Sequence, residues 1–221
     1  MFKTRLLSGI VLVVAALITM ICGGYVLYAT VLVLSLVGVF ELYRVMKVQE
    51  QKQPVLAVVG YLGVIAYYLL LLLELESYTM IALIFILVAM MFVYVFAYPR
   101  YRSEQIMAAF FGVVYVAVML SYIYQTRNLT DGAYLVWLIF ICSWGCDTCA
   151  YCVGMLIGKH KMSPKLSPKK SVEGAVGGVI GAALLTVIYG MVFRGAMGSE
   201  MSHVWIMAAI SAAGALVSMV G

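Results

Sequence analysis

Apolar stretches of about 20 residues follow one another along this chain, separated only by short polar breaks. Eight of them read as spans: 6–22, 25–40, 54–73, 78–98, 106–125, 132–156, 174–193 and 203–221. Most are long enough to cross a hydrocarbon core of about 30 Å as a helix. In lipid the backbone must satisfy its own hydrogen bonds, which leaves helices or a closed barrel. A barrel strand alternates polar and apolar residues, and neither Leu69 to Leu73 nor Ile81 to Phe92 alternates. The expected fold is all-α: a polytopic integral membrane protein of about eight transmembrane helices.

Composition excludes other classes. Hydrophobic residues make up 66% of the 221 and charged residues 10%, against about 45–50% and about 25% in soluble domains. Mean hydropathy is +1.10. A soluble domain, a disordered chain and a nucleic-acid binder are ruled out. Eight spans of about 20 residues use about 160, which leaves no room for a large extramembrane domain. We read 1–221 as a single membrane domain in three stretches. These are an N-terminal helical hairpin with a cytoplasmic loop (1–53), middle spans (54–131), and a third stretch (132–221) with a basic loop at 157–173.

The first, largely apolar run, 35 residues from Leu6 to Phe40, would form a straight helix of about 52 Å. That overshoots the bilayer, and Gly23-Gly24 near the middle can turn the chain. Lys3 and Arg5 precede this run as in a signal peptide, yet no A-x-A-like cleavage site follows. With two spans there, 12 of the 14 Lys and Arg fall on one side, and only Arg127 and Arg194 fall on the other. A single span would give 10 to 4. The positive-inside rule then puts the N-terminus and the 157–173 loop in the cytoplasm.

An ionisable residue inside a span is costly and marks a functional candidate. Asp147 lies within the apolar run Ile139 to Ile157. On a helix it shares a face with Ser143, Ala150 and Tyr151. A carboxylate there suits a polar cavity that holds a cation or a cation-bound phosphate; the plainer alternative is a packing carboxylate with a buried partner. The loop that follows, Gly158 to Gly174, carries five Lys, His160, three Ser and two of the four Pro. It could serve only topology or anionic headgroups. Its two Ser-Pro-Lys units and a Ser-x-Glu-Gly helix start point instead to a structured loop, with Ser171 as N-cap of a helix starting near Glu173. Lysines and hydroxyls at a helix N-terminus suit a polyphosphate.

Other features read more plainly. Gly174, Gly177, Gly178 and Gly181 fall on one helical face, as expected for close helix packing. Cys142, Cys146, Cys149 and Cys152 lie in a continuous apolar helix, where a metal cluster would need a wrapping loop, so they are read as small packing residues. His203 is read as interfacial, and His160 as a solvated loop residue or, alternatively, a phosphate contact. Tyr25, Tyr43, Tyr78, Tyr98 and Tyr101, at span ends, fit interfacial belts.

The segment Trp144-Gly145-Cys146-Asp147-Thr148-Cys149-Ala150-Tyr151, then Gly154, Gly158-Lys159-His160-Lys161 and Ser167-Pro168-Lys169-Lys170-Ser171-Val172-Glu173-Gly174, resembles the bacterial phosphatidate cytidylyltransferase (CDP-diacylglycerol synthase) family. That family has an Ala-Asp-Ser/Thr-Gly-Ala-Tyr-like helix followed by a Ser-Pro-Lys-Lys-Thr-x-Glu-Gly-like loop. Cys146 and Cys149 replace small Ala and Gly, and Ser171 replaces Thr but keeps the hydroxyl. The family continues with a carboxylate-rich signature, whereas no Asp follows Asp147 here. The resemblance therefore implies a shortened form whose main metal ligands lie beyond Gly221 and whose own activity is in question.

The implied function is a nucleotidyltransferase of phospholipid biosynthesis that joins CTP to phosphatidate, in the inner membrane of a bacterium. The implied catalytic residues are Asp147, Lys169 and Lys170; the implied substrate-binding residues are Lys159, Lys161, Ser167, Ser171 and Glu173. Mg²⁺ is the implied cofactor, with Asp147 as its ligand in this chain. The implied partners are CTP, phosphatidate and bilayer lipid, no nucleic acid, and a second copy of the chain as a homodimer. The alternatives are a CTP-dependent polyprenol or lipid kinase and a small cation-coupled transporter.

Overall fold

The computed structural model describes residues 2–49, 54–163, 167–198 and 200–220. Among the described residues ten α-helices run in chain order: α1 (Phe2–Cys22), α2 (Gly24–Val45), α3 (Val55–Leu72), α4 (Thr79–Phe96), α5 (Ser103–Gly112), α6 (Met119–Arg127), α7 (Gly132–Phe140), α8 (Cys146–Ile157), α9 (Val172–Phe193) and α10 (Met201–Val220). A π-helical turn at Val113–Val118 joins α5 to α6, and another at Ile141–Gly145 joins α7 to α8. Each pair is thus one continuous span. Between α8 and α9, β1 (Lys161–Ser163) and β2 (Ser167–Ser171) form a small antiparallel hairpin.

Among the described residues, seven helical spans are long and apolar enough to cross a membrane: Gly24–Val45, Val55–Leu72, Glu76–Phe96, Ser103–Arg127, Gly132–Ile157, Val172–Phe193 and Met201–Met219. The eighth expected span falls on α1, whose stretch Val13–Cys22 is apolar. The fold is all-α and polytopic. Gly23 and Gly24 both take positive φ (60° and 49°), which lets the chain turn between α1 and α2 as the sequence predicts.

Contacts divide the described chain into two compact units, residues 1–125 and 126–221. In the first, α2, α3 and the α5–α6 span pack through tyrosines. Tyr68 Oη lies 2.7 Å from Ser35 Oγ and donates to the Ala117 carbonyl at 3.2 Å. Ser121 Oγ donates to Val118 O at 2.7 Å. Both carbonyls belong to the π-turn, where the ordinary helical ladder is interrupted. Tyr43 and Tyr101 correct the reading as interfacial tyrosines. Tyr43 is fully buried and donates to Ala109 O at 2.7 Å, and Tyr101 is buried and accepts from Leu56 N at 3.3 Å. A buried backbone group offers their hydroxyls the partner that water would otherwise supply. Tyr25, Tyr78 and Tyr98 are exposed.

In the second unit, glycines lay one whole helix face on its neighbour. A Cβ built on Gly181 would lie 2.5 Å from Cys149 Cβ, and one on Gly177 would lie 2.6 Å from Val153 Cβ. One on Gly178 would lie 3.0 Å from Cys146 Sγ. The glycine face of α9 therefore lies directly on α8, as predicted from its spacing. Cys142 meets Gly214 of α10, where an added Cβ would come within 2.9 Å of its sulfur. Cys146 is buried with Ala182 and Ala215, while Cys152 is exposed. Three cysteines thus pack as small apolar groups against glycine and alanine.

Candidate active site

Between α8, the hairpin and α9, a cavity of about 590 Å³ opens within the second unit. Its α8 wall is Asp147, Ala150, Tyr151, Gly154 and Met155. That i, i+3, i+4, i+7, i+8 spacing is one helical face. Ser143, expected on the same face, does not line the cavity. The π-turn Ile141–Gly145 immediately precedes α8, and its wider winding shifts the register between positions 143 and 147.

The hairpin supplies Lys161, Met162, Lys170 and Ser171. Lys161 pairs with Ser171, and Ser163 pairs with Ser167. Between these pairs one residue of β1 faces three of β2, so the ladder bulges. A bulge re-aims side chains out of strict alternation. Neighbouring residues Lys170 and Ser171 can therefore both line one cavity. Gly174 and Ala175 of α9 and Met219 of α10 complete the wall.

Ser171 is the N-cap of α9, in extended conformation, with its Oγ accepting from Gly174 N at 3.1 Å. The hydroxyl sits in a notch of glycines. A Cβ on Gly154 would lie 3.0 Å from it, on Gly158 2.6 Å and on Gly174 2.9 Å. An accepting hydroxyl still has a proton to donate. The N-terminus of a 22-residue helix adds partial positive charge beside it.

Glu173 faces another way. Its carboxylate accepts from Lys159 N at 3.1 Å and His160 N at 3.2 Å, and His160 Nδ1 lies 2.6 Å from Oε1. Val172 N donates to His160 O at 2.9 Å. The base of the hairpin is thus fastened to the first turn of α9.

Of the residues singled out from sequence, the cavity brings together Asp147, Lys161, Lys170 and Ser171. Lys159, Ser167 and Glu173 belong to the hairpin and its fastening and do not line the wall. Lys169 has its backbone in β2, and its side chain lies outside the described residues. The lining residues that sequence reasoning missed are Met155, Met162, Ala175 and Met219. Met155 was reachable by extending the Asp147 face two turns; the others depend on tertiary contacts.

Among the described residues the cavity offers one carboxylate, two ammonium groups, the Ser171 and Tyr151 hydroxyls and an apolar side. Among the described residues no group of three or more His, Cys, Asp or Glu could hold a metal by itself. Mg²⁺ commonly binds through one or two carboxylates plus substrate phosphates. Asp147 beside two lysines fits an ion that arrives with a polyphosphate.

The cavity thus joins a carboxylate within an apolar span, two lysines and a helix N-terminus. The chain belongs to the cytidylyltransferase family, whose profile matches residues 3–221. It is similar to the phosphatidate cytidylyltransferases of Staphylococcus saprophyticus (28% identical over 171 residues) and Staphylococcus haemolyticus (27% over 170). That of Staphylococcus aureus strain COL is 27% identical over 168 residues. Each match covers 73% of this chain and 62% of the relative, so the chain spans less than two thirds of the relatives' length.

Proposed function

We propose that this protein transfers CMP from CTP to phosphatidate at the cytoplasmic face of a bacterial inner membrane, giving CDP-diacylglycerol and pyrophosphate. The observation that carries the reading is the meeting of Asp147, Lys161 and Lys170 in one cavity beside the N-terminus of α9. An oxygen of the lipid phosphate attacks the α-phosphorus of CTP. The new P–O bond forms as the bond to the bridging β-phosphate oxygen breaks, and pyrophosphate leaves with the electron pair.

Two anionic groups must approach each other, so positioning and charge neutralisation carry most of the work. Lys161 and Lys170 offset phosphate charge from the hairpin side. Ser171 and the α9 N-terminus supply donors where phosphate binds favourably. Mg²⁺ brought with the triphosphate would take Asp147 as its protein ligand and stabilise charge on the departing pyrophosphate. The apolar wall of Tyr151, Met155, Met162 and Met219 suits the glycerol and acyl portion of the lipid. Pairing with a second copy of the chain belongs to the same proposal, and the mass of the solubilised protein tests it.

The activity test is incorporation of label from α-labelled CTP into lipid by the purified protein with phosphatidate in detergent. Lys161→Ala and Lys170→Ala are each expected to raise the KM for CTP by about 10- to 100-fold, the loss of one charge-assisted contact. Arg194, at the other end of α9, should be replaceable by Ala without effect. Label entering lipid from γ-labelled CTP instead would make the protein a kinase. Equal effects at Arg194 and Lys170 would reduce the hairpin to a topology signal.

A further inference from the structure

We propose that Glu173 and His160 form a clip that positions the lysine hairpin, and that both act on the nucleotide without touching it. The proposal rests on the cytidylyl-transfer reading for its ligand, and on geometry for the clip. Two N–H groups of the backbone and one ring nitrogen converge on one carboxylate, at 3.1, 3.2 and 2.6 Å. A carboxylate only accepts, so the His160 ring must carry its proton on Nδ1.

The placement gives the clip its consequence. Lys161 directly follows His160, and Lys170 directly precedes the capping Ser171. Among its described residues the hairpin has two paired positions and a bulge between them. Two paired positions are too few to fix where two flexible lysines point. Glu173 ties the strand bearing Lys161 to the helix whose N-cap follows Lys170, and so sets both lysines against Asp147. The Glu173 side chain is 24% exposed and the His160 side chain 81%. An exposed ring pair contributes little by itself, whereas the backbone amides bonded to a carboxylate contribute more. Glu173 is therefore the stronger of the two positioning residues.

The chain's two histidines make the clip observable without any turnover. His203 Nδ1 accepts from Glu200 N at 3.4 Å, so its proton belongs on Nε2. Nitrogen-15 spectra of the solubilised protein at about pH 9, above the ordinary histidine range, should show opposite tautomers for the two rings. Glu173→Ala should release the His160 tautomer and speed amide exchange at Lys159 and His160, leaving His203 unchanged. The dissociation constant for CTP should rise about tenfold in Glu173→Ala, roughly the loss of one charge-assisted bond, and about twofold in His160→Ala, which keeps the amide contacts. Glu173→Gln, with one accepting oxygen, should fall between them, and kcat at saturating CTP should change far less than affinity.

An unchanged His160 tautomer in Glu173→Ala would overturn the clip. Loss of the tautomer with unchanged CTP affinity would overturn its positioning role. Glu173→Gln as damaging as Glu173→Ala, with His160→Ala silent, would mean direct substrate contact instead. If the unsubstituted protein binds no CTP at all, the cytidylyl-transfer reading fails, and the tautomer and amide exchange still decide the clip.

Discussion

The two units solve the same problem with different chemistry. Residues 1–125 seat tyrosines over glycines, Tyr43 against Gly60 and Gly112, and bond their hydroxyls to the facing backbone, whereas residues 126–221 lay α8 directly on α9, glycine against cysteine and valine. Each contains a span interrupted by a π-turn. In the first unit, Tyr68 and Ser121 bond the carbonyls of that turn. In the second, the turn shifts the winding just before Asp147, and the helix goes on to line a cavity. A bulky, polar-tipped side chain fills space and satisfies backbone at once, which suits a scaffold. Small residues bring backbones close enough to seat Ser171 among three glycines, which suits a site.

The largest expected effect follows from the close approach. Gly181→Leu in the second unit would drive its side chain into Cys149 Cβ, already 2.5 Å from an added Cβ. We expect a loss of about 3 kcal/mol, at the upper end of the usual range for overpacking, because the Cys149 Cβ can give way only if its helix shifts. Gly195, with nothing within 4 Å of an added Cβ, is the matched control and should accept Ala with little change. Thermal unfolding in detergent measures both. A tolerated Gly181→Leu would mean that α8 and α9 can separate, and the contrast between the units would lose its basis.

Tyr68→Phe probes the other side of the comparison. The hydroxyl lies against Ser35 Oγ and the Ala117 carbonyl, and its loss leaves both buried groups short of a partner. The expected cost is about 1 kcal/mol, because hydrogen bonds between membrane helices average less than that and stranded buried groups add to it. The same unfolding measurement checks it. A cost near zero would make the tyrosines of the first unit apolar filler.

The spans could be read from sequence because hydrocarbon thickness fixes their length and lipid forbids an unpaired backbone. Gly23-Gly24, the Ser171 cap and the glycine face of α9 could be read because each depends on local chain geometry. Tyr43 and Tyr101 were misread for an equally physical reason. A tyrosine at a span end has an apolar body and a polar tip. Only the neighbouring helix decides whether that tip meets water or, as at Ala109 O, a carbonyl. The π-turns leave no mark in hydropathy, so the departure of Ser143 from the Asp147 face was invisible. In the site, Asp147 and the basic loop stood out by charge alone. The pairing of Glu173 with His160, 13 residues apart, needed the hairpin to fold first.

The smallest expected effect has the opposite sign. Thr186, on α9, is fully buried, and its Oγ1 has no hydrogen-bond partner among the described residues. A threonine in a helix usually returns its hydroxyl to the carbonyl four residues back. Here that carbonyl, Ala182 O, accepts from Ser211 Oγ at 3.4 Å. Burying an unbonded hydroxyl costs free energy that an apolar group of the same shape avoids. Thr186→Val should therefore stabilise the protein, by up to about 1 kcal/mol, where Tyr68→Phe destabilises it by a similar amount. The opposite signs follow from one difference: Tyr68's hydroxyl is bonded and Thr186's is not. If Thr186→Val lowered the unfolding temperature as much as Tyr68→Phe, the Thr186 hydroxyl would have a bonded partner in the membrane. Thr186 would then join Ser211 in the buried hydroxyl bonding of the second unit.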